Sequence, residues 1–207
     1  MSSRNSRSSI FEKIHQALGE SSAGHPLPDY DDALLHSAPR LEGNDLWEIF
    51  SRNFAAVSGI SMTGTEGLLD LLKESDCNHG YCDPALMHTI GDSLVAAGLT
   101  VETEYDRKRY DDYQFGITRA AGAIAESGSV ILNDETTSDR LAALSPWVHI
   151  AVLENESSLL RSIPDAVAAF GASPNIIWAT GPSKTADVEG ILIEGVHGPG
   201  RQVLVKL

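Results

Sequence analysis

The chain has 207 residues, 42% of them apolar, enough for one globular domain with an appendage. Its 29 acidic residues against 15 basic ones give a net charge of −14, which leaves no basic stripe for a phosphate backbone and argues against nucleic acid as a partner. No apolar run approaches the roughly 20 residues of a membrane helix, and the Ser/Arg-rich start from Met1 to Ser9 leads into no apolar segment. The two cysteines are too few for a disulfide scaffold or a four-thiolate cluster, so the expected setting is the cytoplasm.

In chain order, apolar residues at 10, 11, 14, 17 and 18 predict a short amphipathic helix. Pro26, Pro28 and Pro39 then break any regular pattern, so residues 1–43 read as an N-terminal helix and irregular arm, and 44–207 as a single α/β/α domain. Asn44 is the expected N-cap of a helix over 45–57, with Trp47, Phe50 and Phe54 assigned to the core together with Trp178. A short strand is expected at 59–63, helices at 65–73 and 84–97, and a strand at 101–105. From residue 115 the strand signals crowd together: 115–120, then 123–125 and 130–132 flanking a four-residue turn, then 147–153, 175–180 and 202–207. Helices are expected between them at 138–144 and at 156–170, the latter interrupted near Pro164. Strands alternating with helices, with one hairpin among them, predict a mixed, mostly parallel sheet covered on both faces, a three-layer α/β/α sandwich.

The run Gly181-Pro182-Ser183-Lys184-Thr185-Ala186-Asp187-Val188-Glu189 follows a strand and reads as a turn into a helix capped by Ser183 or Thr185. Free N–H groups there, with the charge of Lys184, would attract a phosphate or carboxylate; the spacing is not that of a P-loop. The same residues also suit an ordinary capped turn. Asp187 and Glu189 can hold a divalent cation or simply favour a helix start. His197, beside Gly198-Pro199, sits where backbone approaches a ligand closely and can donate a proton. Glu126, at the hairpin corner, is a candidate acid, base or nucleophile, or a turn carboxylate that accepts backbone N–H groups. His149 lies in an apolar run and is assigned to packing. Cys77, His79 and Cys82, flanked by Asp76 and Asp83, bind a metal only if their loop wraps around the ion; otherwise the thiols are reduced and incidental, and no metal site is assigned.

Taken together, Gly116-Ile117-Thr118, the run from Ala123 to Ser129, His149-Ile150, the run from Gly181 to Glu189, and Gly195-Val196-His197-Gly198-Pro199 resemble, in that order, the lactate-utilisation protein C family. The resemblance implies a fold like that of the phosphosugar isomerase, deaminase and CoA-transferase superfamily, with a ligand crevice at the strand ends. It implies an accessory or substrate-handling subunit in oxidation of L-lactate to pyruvate, acting with two partner proteins that carry iron–sulfur centres, with no cofactor in this chain. Self-association is compatible with that role. Lys184 stands where the family commonly has Arg, which keeps the charge and loses the bidentate fork.

The resulting candidate set is Glu126 and His197 for catalysis, with Thr118, Arg119, Ser127, Gly128, Gly181, Pro182, Ser183, Lys184, Thr185, Asp187 and Gly198 for a small anionic ligand. Two other functions compete: a stand-alone acyl or CoA transferase or phosphosugar isomerase using Glu126, and a non-catalytic metabolite-binding module.

Overall fold

The computed structural model of the chain describes residues 3–18, 38–133, 139–171, 173, 175–186 and 191–207. Two compact units are distinguished, residues 1–34 and 35–207. The described part of the first is helix α1 (Ser3–Leu18), which extends N-terminally beyond its apolar stripe and places the Arg7 guanidinium 5.6 Å from the Phe11 ring centre, one turn on. No described helix is long and apolar enough to cross a membrane.

The second unit is built on a six-stranded sheet in which every neighbouring pair is parallel. Its strands are β1 (Ile60–Thr63), β2 (His79–Cys82), β3 (Thr100–Glu102), β4 (Phe115–Arg119), β7 (Val148–Leu153) and β12 (Arg201–Lys206), in the order β1-β12-β7-β4-β2-β3. The expected antiparallel hairpin leaves this sheet. Strands β5 (Gly122–Ile124) and β6 (Ser129–Asn133) join β8 (Leu159–Leu160) and β9 (Ile176–Ala179) in a second sheet of order β8-β5-β6-β9. The step between sheets takes two residues: the Ala120 N–H donates to Val152 O, continuing the ladder of the first, and the Ala121 N–H donates to Ile131 O in the second.

Side chains alternate across the central strands, and both faces are buried. Phe115, Ile117, Val148, Ile150, Val152, Val203 and Val205 meet α3 (Leu68–Glu74) and α4 (Asp92–Ala96) on one face. On the other, Ala151, Leu153 and Leu204 meet α2 (Leu46–Ala56), α5 (Arg140–Leu144) and the second sheet. The outer side of that sheet is covered by α6 (Ile163–Phe170), through Ile124, Ile131 and Ala166. The result is the expected three-layer α/β/α arrangement.

Four local expectations change. The cap of α2 is Asp45, one residue later than expected, its carboxylate accepting the N–H groups of Trp47 and Glu48 at 2.7 and 3.3 Å. The helix expected over 84–97 breaks into a 3-10 turn (Pro84–Leu86), a wide π turn (Met87–Gly91) and α4. Pro164 opens α6 rather than interrupting a longer helix, because Ser162 and Asp165 form a reciprocal capping box there. Trp178 lies on β9 at the rim of the second sheet and is 38% exposed, not core.

Candidate functional site

An open cleft of about 270 Å³ lies where the N-terminal end of β12 meets α5, β9 and two glycine-rich turns. Leu144 and Trp178 give it apolar walls; Ser183, His197 and Gln202 bring polar groups to it. The turns are joined by backbone bonds: the Ser183 N–H donates to Pro199 O and the Gly195 N–H to Ser183 O, both at 2.9 Å. Close approach explains the glycines. At Gly198 a Cβ would lie 3.0 Å from that of Ser183, and at Gly181, with φ of +77°, it would lie 2.2 Å from Val57 O.

Among the described residues no helix follows Gly181. Lys184–Thr185 are strand β10, paired antiparallel with β11 (Ile193–Glu194), so the described part of this run is a two-stranded ribbon. The Lys184 ammonium instead ties the ribbon down, donating to Val57 O at 3.2 Å and Ser58 Oγ at 3.0 Å and pairing with Glu194 at 3.3 Å. Thr185 lies opposite Ile193 on the ribbon, and Pro182 is buried in the turn. Asp187 and Glu189 lie outside the described residues.

The other candidates lie elsewhere. Glu126 is buried at the hairpin tip, 3% exposed, where it accepts the Ile163 N–H at 3.2 Å at the start of α6. This is the turn-carboxylate role, with a helix start as donor. Ser127 Oγ, Ser129 Oγ and Thr180 Oγ1 form a hydroxyl chain with 2.7 Å links. Gly128, φ +62°, packs so tightly on α2 that a Cβ would come 2.5 Å from the Phe54 amide nitrogen. Arg119 ends β4 at the opposite edge of the sheet from the cleft, 3.2 Å from the buried carboxylate of Asp83.

Cys77 and Cys82 enter the hydrophobic core, where burial pushes their thiols up to about 11 and about 12. The His79 ring lies against Tyr113 and binds Glu102 at 2.9 Å, so thiols and imidazole do not converge.

Behind Gln202 lies a buried polar group that the sequence assigns to packing. His149 is fully buried, its Nε2 2.9 Å from Thr118 Oγ1 and its Nδ1 in contact with the Gln202 carboxamide. Burial pushes its pKa down to about 4, with the bond to Gln202 acting the other way, so the ring is neutral near pH 7. Thr118 thus lies beneath the cleft rather than in it. Gln202, Leu144 and the cleft-facing role of Trp178 carry no local sequence signal.

Fold and cleft define an α/β/α domain with a small, mixed polar and apolar cavity at the N-terminal edge of its parallel sheet. The chain belongs to the LUD domain family, which matches residues 11–205. It is 38% identical over 95 residues to lactate utilization protein C of Deinococcus radiodurans and 34% identical over 103 residues to that of Bacillus subtilis. Those alignments cover 43% and 46% of this chain, and only 44% and 43% of the relatives' own length. An uncharacterized protein of Neisseria meningitidis is 24% identical over 176 residues, covering 83% of this chain and 74% of that protein. In fold, the chain is similar to a crystal structure of a DUF162 family protein from Deinococcus radiodurans, with a TM-score of 0.56 at 20% identity over 80% of this chain and 100% of that one.

Proposed function

We propose that this chain serves lactate utilisation as a substrate-handling component that holds a small carboxylate, L-lactate or its oxidation product, in the cleft at the N-terminal edge of the sheet. One observation carries the reading: on a chain of net charge −14, none of the described residues lining the cleft bears a carboxylate, while Ser183, His197 and Gln202 offer hydrogen bonds. The apolar walls lower the local dielectric and strengthen those bonds to an anion. Kinship with lactate utilization proteins supports the choice of acid. Electrons from the oxidation pass, in this reading, to iron–sulfur partner proteins, the two cysteines of this chain being too few for a four-thiolate cluster.

Isothermal titration of the purified chain with sodium L-lactate tests the proposal. Saturable binding that falls at least tenfold in the Ser183→Ala/His197→Ala double variant is the expected result. Absence of binding, or equal binding by the variant, overturns it.

A further inference from the structure

The floor of the cleft contains an arrangement that packing alone does not require. Thr118, His149 and Gln202 sit on three adjacent strands, β4, β7 and β12, and point into the same layer as Ala151 and Leu204. His149 and Gln202 are direct partners in the strand register, and Gly116 lies opposite His149 on the other side. Buried polar side chains in such a layer are costly unless bonded, and an apolar trio of the same size avoids the cost altogether. Here His149 is bonded to each of the other two, and one of these, Gln202, only 2% exposed, lines the cleft.

The hydrogen bonds allow two arrangements. Both ends of the Gln202 carboxamide lie near His149 Nδ1, Oε1 at 3.0 Å and Nε2 at 2.8 Å. A neutral imidazole has one N–H and one acceptor nitrogen. With the proton on Nδ1, the ring donates to Gln202 Oε1, Nε2 accepts from the Thr118 hydroxyl, and the Gln202 NH2 group, 2.8 Å from the same nitrogen, has to turn away from it toward the cleft. With the proton on Nε2, the ring donates to Thr118, accepts from the Gln202 NH2, and the amide oxygen serves the cleft instead.

We propose that Gln202 is the specificity-determining residue of the cleft and that His149, seated on Thr118, is its positioning residue, holding the carboxamide so that N–H donors face a ligand oxygen. The inference rests on the reading of the cleft as a carboxylate site and adds to it which side chain recognises the ligand. A ligand that brings only donors finds the wrong face of the amide, so the cleft selects acceptor-bearing acids over amines of the same size.

The test is nitrogen-15 NMR of the full chain, titrated with sodium L-lactate. The expected result has the Gln202 side-chain NH2 signals and the His149 ring nitrogens moving with the same midpoint as the Ser183 and His197 amides, and the His149 proton on Nδ1 at saturation. Gln202→Glu, which offers acceptors alone, weakens binding more than tenfold. Thr118→Val weakens it several-fold and lets the His149 proton redistribute, and Thr118→Ser restores both. Movement of Ser183 and His197 without Gln202 and His149 overturns this inference and leaves the carboxylate site standing. Movement of no cleft signal overturns both.

Discussion

The two edges of the central sheet use their polar residues in opposite ways. At the C-terminal edge the charges are joined to the fold: buried Asp83 caps the turn after β2 by accepting the Ala85 N–H at 2.9 Å and also holds Arg119. At the N-terminal edge the side chains that reach the cleft, Ser183, His197 and Gln202, lie beside apolar walls, with a neutral histidine beneath Gln202. The same division separates Lys184 and Glu126 from the cleft, since one anchors a ribbon and the other a helix start. Charged residues that stand out in the sequence hold this molecule together; quieter residues line its cavity.

That contrast is open to attack by substitution. The largest effect is expected from Gly116→Val, because even a Cβ there would lie 1.8 Å from Ala142 O in α5, the helix that supplies one wall of the cleft. A loss of about 3 kcal/mol or more is expected in urea unfolding, with loss of L-lactate binding. A similar magnitude is expected from pH. A histidine held near pKa 4 when folded and near 6.5 when unfolded leaves the unfolded chain binding more protons between those values. Its contribution is therefore complete above about pH 6.5 and lost as the pH falls toward 4, by roughly 3 kcal/mol. Urea unfolding of wild type and His149→Gln at pH 7 and pH 4.5 checks this, with the steeper loss expected in the wild type.

Asp83→Ala removes a buried cap and an ion-pair partner together and is expected to cost about 2 kcal/mol while leaving L-lactate affinity unchanged. The smallest effect belongs to Glu126→Gln. The amide keeps an oxygen for the Ile163 N–H, so a stability change under about 1 kcal/mol and unaltered ligand binding are expected. Loss of ligand binding in that variant would return Glu126 to the site.

Much of the fold is legible in the sequence because it depends on local signals. The apolar runs of β4, β7 and β12 are long enough to mark strands buried on both faces, and the turn from Glu126 to Ser129 between two short apolar runs marks a hairpin. The run after Gly181 misleads because Pro, Ser and Thr serve turns and helix caps alike, and only the pairing of Lys184 with Glu194 settles it as a ribbon. In the cleft, Gly181, Ser183, His197 and Gly198 are visible as a glycine-rich motif. Gln202 is not, because it meets His149 through strand register across 53 positions of sequence. A histidine in an apolar strand looks the same whether it fills space or orients a neighbour, and the difference emerges only with Thr118 on one nitrogen and Gln202 on the other.

The most direct measurement is a crystal structure of the chain grown with L-lactate. The account predicts lactate density between Ser183, His197 and Gln202, with its carboxylate within hydrogen-bond distance of the Gln202 amide nitrogen. Lactate bound at Arg119 and Asp83, at the opposite edge of the sheet, would contradict it.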